Sequence, residues 1–203
     1  MFERKKVLVA GGSGLIGRQL IDLLVKEGAE VSVADLKSFD HPTVKFLKCD
    51  LTNYENCILA CSGIDFVFNL LCAKGSPKAM KERPASHFDP MLLFNTNLMR
   101  AARVSGVKKY LYSSTLGVYA PAPIFYEDDV WGSQPSENDK FAGWAKRMGE
   151  LQAQAYRIEY GWEDISIVRP ANTYGPYDDF SPGSSMVVPS LVRKALSSKN
   201  EIV

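Results

Sequence analysis

Apolar and polar positions follow two alternating periods along the chain. Short apolar, partly β-branched runs recur at 6–10, 30–34, 44–48, 65–71, 108–112 and 164–168, and each reads as a strand. Between them, apolar residues three and four apart predict helices over 15–27, 53–61, 91–104, 139–160 and 186–197. The first helix places Leu15, Ile16, Leu20, Leu23 and Leu24 on one side, and Gly28 ends it. The run 65–71 is, after Asp65 at its start, nearly unbroken and apolar apart from Asn69, as suits a strand covered on both faces. Lys74 to Pro90 is polar, with prolines at 77, 84 and 90, and reads as a long loop over the C-terminal edge of the sheet. Ala120 to Asn138 reads as a second irregular stretch, with Glu127, Asp128 and Asp129 in a solvated turn. Ser181–Ser185 reads as a turn, and Glu201–Val203 as the start of another strand. Strands alternating with helices predict an α/β fold, a doubly wound parallel sheet with right-handed crossovers.

Composition narrows the class. The 203 residues suit one large domain, and a formal charge of +1 gives no electrostatic reason to expect nucleic acid or an anionic membrane as partner. No apolar run reaches the roughly 18 residues of a membrane span. The N-terminus runs straight into a strand with no signal peptide. Cys57 and Cys61 share a helix face, but His41 and His87 offer no ligand spacing around them, so no metal site is expected. The four cysteines read as reduced thiols of a cytoplasmic protein.

The first strand runs into glycines at 11, 14 and 17, and a helix follows at once. That order aims a helix N-terminus, with its free N–H groups and positive dipole end, beyond the sheet edge. Gly11 permits the tight turn, Gly14 the approach of a pyrophosphate, and Gly17 close packing of helix on strand. Asp35 stands eighteen residues after Gly17, near the roughly 20 at which an acid meets the adenosine ribose. Its charge repels a 2′-phosphate and favours NAD, while Lys37 leaves NADP open; a simple turn-capping role is the alternative for Asp35. Ligands of doubly wound sheets sit beyond the strand C-termini. The glycine loop, Asp35, Asp50, the residues after Leu71, Ser113–Thr115 and Arg169–Thr173 all fall there.

These segments, with Asn69-Leu-Leu-Cys-Ala73, Ser113-Ser-Thr-Leu-Gly-Val-Tyr119, Gly143-Trp-Ala-Lys146 and Arg169-Pro-Ala-Asn-Thr-Tyr-Gly-Pro176, resemble the extended short-chain dehydrogenase/reductase family. Within it the chain is most similar to the nucleotide-sugar epimerases, dehydratases and reductases. The resemblance implies a Rossmann domain over 1–203, with 170–203 beginning the substrate-binding part, and roughly another hundred residues in family members. It implies a dinucleotide held by Gly11, Ser13, Gly14, Leu15, Ile16, Gly17, Asp35, Leu36, Asp50, Leu51, Leu70, Leu71, Cys72, Ser113, Lys146 and Pro170. A nucleotide sugar would meet Lys74, Thr115 and Asn172. A homodimer through the helices at 91–104 and 139–160 is also implied.

In the family a tyrosine four residues before the lysine moves the proton while hydride passes between the nicotinamide and the sugar. The lysine lowers that tyrosine's pKa, and a Ser or Thr bonds the same oxygen. Lys146 and Thr115 fit two of these roles, and Ala142 stands at the tyrosine position. Two origins fit Ala142: a deliberate change that traps a complex, or a natural variant with altered chemistry. Leu116 and Gly117 replace the Asp-Glu pair of the 4,6-dehydratases. Gly117 and Met186 replace the Cys and His of the fucose synthases, and Met91 replaces a helix Asn. What remains is an NAD-dependent 4-epimerase with hydride transfer at C4. An NADP-dependent 4-keto-sugar reductase and a non-catalytic cofactor-binding regulatory protein are the alternatives.

Overall fold

A computed structural model describes residues 1–73, 75, 77–182 and 184–197. The chain runs β1 (Lys6–Ala10), α1 (Leu15–Lys26), β2 (Glu30–Asp35), β3 (Lys45–Lys48), α2 (Tyr54–Cys61), β4 (Phe66–Asn69), α3 (Pro77–Glu82), α4 (Ala85–Val104), β5 (Lys109–Ser113), α5 (Lys140–Tyr160), β6 (Ile165–Val168) and α6 (Val187–Ser197). The strands form one sheet in the order β3-β2-β1-β4-β5-β6, and every adjacent pair is parallel. The winding direction reverses between β1 and β4, so the connections leave a crevice above the C-terminal ends of these two strands.

Side chains of β1 alternate between two cores, as the pleat requires. Leu8 and Ala10 join Val67, Leu98, Met99, Tyr110 and Tyr112 in the core under α2, α4 and α5. Val7 and Val9 face the opposite core with Ile21, Leu24 and Val33. The buried face of α1 is Gly17, Ile21 and Leu24, spaced four and three apart. This corrects the expected stripe: Leu20 is half-buried, while Ile16 and Leu23 lie exposed because the wheel turns on Ile21.

The loop expected over 74–90 is instead α3 followed by the first turns of α4, which begins at Ala85 rather than Met91. Pro84 has helical φ −62° and its carbonyl accepts from the N–H groups of His87 and Phe88, so this proline starts the helix. Pro90 sits inside α4, where its ring removes one donor. The strand expected to reach Leu71 stops at Asn69, whose side-chain oxygen takes the Leu71 N–H at 3.1 Å. The irregular stretch 120–138 holds only short 3-10 turns. Lys74 and the strand expected at Glu201–Val203 lie outside the described residues.

Candidate functional site

The glycine loop is built by close approach. Gly11 has φ +78°, and its N–H donates to the Ala34 carbonyl at 2.9 Å. A β-carbon on Gly11 would lie 3.1 Å from the Leu70 carbonyl, so the loop rests directly on the chain leaving β4. One on Gly17 would lie 2.6 Å from the Gly12 Cα, which keeps α1 tight against the turn. Gly14 is the N-cap of α1, with no side-chain cap and no acid in the first turn. The positive end of the helix therefore faces the crevice without an internal anion.

Asp35 braces this loop. Its Oδ2 accepts from the Ser13 N–H and its Oδ1 from the Lys37 N–H, both at 3.1 Å, and Ser13 Oγ donates to the Lys37 carbonyl at 2.9 Å. The turn-capping role is thus present. Each carboxylate oxygen keeps a second lone pair, so capping and holding a ribose hydroxyl are compatible. Leu36 is exposed beside it. Arg18 donates to the Ser13 carbonyl, and its guanidinium lies 5.4 Å from the Phe39 ring and 5.3 Å from the Tyr177 ring. Asp50 accepts from both the N–H and the hydroxyl of Thr52, while Leu51 is buried beneath it.

Lys146 enters from α5. Its Nζ donates to the carbonyls of Leu71 at 2.9 Å and Ser113 at 2.6 Å, where β4 and β5 end. The side chain is only 4% exposed, and burial of the ammonium lowers its pKa from the ordinary lysine value. An ammonium has three donors, and two are used. Thr115 Oγ1 accepts from the Gly117 N–H at 3.2 Å, which leaves its own proton for another acceptor. Ala142 is half-buried, with its methyl against the core. Cys72 is exposed beyond β4, and the Pro170 carbonyl accepts from the Leu116 N–H at 3.2 Å. The crevice therefore gathers the glycine loop, Asp35, Leu70, Leu71, Ser113 and Lys146, whereas Asn172 lies exposed on the segment after β6.

Arg147 and Glu150 support this arrangement without a motif signal, and Arg169 supports it from a segment already noted. Arg147, next to Lys146 and 1% exposed, donates to the carbonyls of Val118 and Ser133. Arg169 forms a two-point ion pair with Glu150 at 2.7 and 3.0 Å, and also donates to the Tyr119 hydroxyl and the Glu127 carbonyl, each at 2.8 Å. The hydrogen bond to Glu150 holds the Arg169 pKa further above its ordinary value. Both arginines tie the segment after β5 to α5. Gly117 and Gly143 let that segment lie hard on the helix: a β-carbon on Gly117 would be 2.8 Å from the Asp139 Cβ, and one on Gly143 would be 2.5 Å from the Gly117 carbonyl oxygen. Asn69 carried a signal of another kind, as the single polar residue of the apolar run 66–71.

Among the described residues no group of three His, Cys, Asp or Glu could hold a metal ion, and no helix is long and apolar enough to cross a membrane. Cys57 and Cys61 are fully buried, and burial pushes each thiol up to about 12.

A sequence model of the NAD dependent epimerase/dehydratase family matches residues 7–203. A GDP-L-fucose synthase of Sinorhizobium fredii is 33% identical over 98% of this chain and 61% of its own length. The UDP-glucose 4-epimerase of Thermotoga maritima, solved with UDP-glucose, superposes with a TM-score of 0.77 at 26% identity, covering 91% of this chain and 61% of that one. The UDP-glucose 4-epimerase of Thermus thermophilus, solved with NAD, superposes with a TM-score of 0.74 at 27% identity, covering 88% and 58%. The chain spans between 54% and 63% of the length of the curated relatives it matches.

Proposed function

The chain belongs to the NAD dependent epimerase/dehydratase family, and from that premise we propose that it is the dinucleotide-binding part of a nucleotide-sugar 4-epimerase whose proton carrier is missing at Ala142. The observation that carries this reading is Lys146: a buried ammonium at the crevice, held by two strand-end carbonyls, with its third donor unassigned. A ribose hydroxyl is the acceptor that such a donor fits. The uncapped N-terminus of α1 suits a pyrophosphate, and Asp35 suits the adenosine ribose. Leu36, Asp50, Leu51, Leu70, Cys72, Ser113 and Pro170 complete the proposed cofactor contacts. A bound nicotinamide dinucleotide would supply redox exchange at C4 of the sugar.

The chain's own residues then divide the remaining work. Lys146 orients the nicotinamide ribose, and Thr115 donates a hydrogen bond to the sugar oxygen without transferring its proton. Asn172 and Lys74 are the proposed contacts to the nucleotide sugar. The methyl of Ala142 moves no proton, so the cofactor is held and turnover is slow. A second reading, a 4-keto-sugar reductase using NADP, is favoured by Arg18, whose guanidinium donates to the Ser13 carbonyl, and by Lys37, whose backbone bonds to Asp35 and Ser13 in the same loop.

Two measurements test this. Protein denatured after mild purification is expected to release NAD, one per chain; no dinucleotide, with no affinity for NAD or NADP on titration, would sink the reading, and NADP alone would select the reductase. Ala142→Tyr is expected to raise the turnover of UDP- or GDP-sugars by about 100-fold or more, the typical contribution of a positioned proton carrier. The proposed dimer would pair exposed faces of α4 and α5, and light scattering at the chain's working concentration reads it directly.

A further inference from the structure

The buried end of β4 carries a polar cluster that the proposed reaction does not use. Asn69 is fully buried at the last position of the strand. Its Nδ2 donates to Asn95 Oδ1 on α4 and to the Tyr110 hydroxyl on β5, each at 2.9 Å, and its Oδ1 accepts from the Leu71 N–H at 3.1 Å. Both donors of this amide and one lone pair of its oxygen are therefore assigned, which fixes its orientation. Asn95 is not so satisfied: it is 1% exposed, and its Nδ2 has no partner. An orphaned buried amide donor is destabilising. A leucine at 95 would remove that orphan but strand one buried Asn69 donor in its place, so Asn95 is kept for the acceptor it offers to Asn69.

That use lies two residues further on. Leu71 receives the Asn69 oxygen at its N–H and presents its carbonyl to the Lys146 ammonium. From the other side, the chain at Leu70–Leu71 is backed by Gly11, where a β-carbon would come within 3.1–3.2 Å. The strand exit is thus braced by the glycine loop above and by the Asn95–Asn69 pair below, and Lys146 reads its position from that exit.

We infer that Asn69 and Asn95 are positioning residues for Lys146, setting the Leu71 carbonyl that aims the ammonium at the dinucleotide. The inference rests on the reading of Lys146 given above. The lysine does not touch Asn69 or Asn95, and the asparagines act on it only through the Leu71 backbone.

The test uses Asn69→Ala, Asn95→Leu and Asn95→Asp in the full chain, with Val67→Ala as a buried control on the same strand. Two quantities are read: the Lys146 titration, by NMR of Nζ-labelled lysines in the protein without added nucleotide, and the Kd for NAD and NADP. Asn69→Ala and Asn95→Leu are expected to move the Lys146 titration and weaken dinucleotide binding about tenfold, the effect of one hydrogen bond. Val67→Ala lowers the melting temperature and leaves both readouts in place. Asn95→Asp, neutral when buried, keeps an acceptor for Asn69 and restores the wild-type titration. Wild-type titration in both Asn69→Ala and Asn95→Leu overturns the inference. If Asn69→Ala does not fold, Asn95→Leu against Asn95→Asp decides it alone. A wild-type chain that binds no dinucleotide refutes the functional reading instead, and the titration still decides the positioning.

Discussion

Two neighbouring cations on α5 serve opposite regions of the molecule. Lys146 and Arg147 are 4% and 1% exposed, and both donate to backbone carbonyls. Successive helix positions point about 100° apart, so Lys146 reaches the strand ends and Arg147 the segment that returns from β5. The arginine fork spans two carbonyls, while its flat face lies 5.1 Å from the Trp144 ring and 5.9 Å from the Trp131 ring. The lysine, a point charge on a flexible stem, spends two of its three donors on carbonyls. Burial of a cation is thus a structural clamp in Arg147, where three donors and two ring faces hold the fork, and leaves Lys146 as the candidate binding group.

The largest expected effect that separates the two regions is on folding. Arg147→Met strands the Val118 and Ser133 carbonyls and should lower stability by about 3 kcal/mol, read as a shift in the urea midpoint. The protein that remains folded keeps wild-type dinucleotide affinity; a loss of affinity matching that of a Lys146 variant would erase the distinction.

A smaller effect follows from pH. The Cys57 and Cys61 pKa values, held at about 12, lie above the unfolded value, so the folded state keeps protons that the unfolded chain sheds above roughly pH 8.5. Stability contributed there is lost as pH rises, by up to about 1.4 kcal/mol per pH unit for each thiol. Lys146 has the opposite sign: its folded pKa lies below the unfolded one, so in the window between them stability rises with pH. Denaturant melts from pH 8 to 10 should therefore show a slope flattened by Cys57→Ala and steepened by Lys146→Met. An unchanged slope in Cys57→Ala would contradict the thiol assignment.

The smallest expected stability change is that of Lys146→Met itself, within about 1 kcal/mol, because an apolar side chain replaces a desolvated charge. Its consequence lies in binding, where about a tenfold or greater rise in Kd is expected by titration with NAD. A stability loss equal to that of Arg147→Met would mean that both cations are clamps.

The order of strands and helices was legible because the apolar runs are short and the helices amphipathic. Proline misled at 84 and 90, since a residue that breaks a helix interior also opens a helix start, and composition alone does not tell the two apart. Gly11, Gly14, Gly17 and Asp35 were marked by spacing, and Lys146 by the family resemblance of the segment around it. Arg147, Glu150 and Asn95 were not, because their partners are carbonyls or side chains far along the chain. No local pattern encodes a contact between Arg169 and Tyr119 across fifty positions. Asn69 was marked by being polar inside an apolar run, and Arg169 and Tyr119 only by the segments they belong to, not by their contact.

The crowding at Gly117 gives substitutions in this chain a preferred order. A side chain at 117 would meet the Asp139 β-carbon at 2.8 Å, which alanine at 139 would retain, so it requires either a shift of the backbone at 139 or Asp139→Gly. A larger residue at 117 is therefore expected to be accepted more readily after a change at 139 than before it. Directed evolution meets the same order: libraries varying one position at a time should recover less at 117 than paired libraries of 117 and 139.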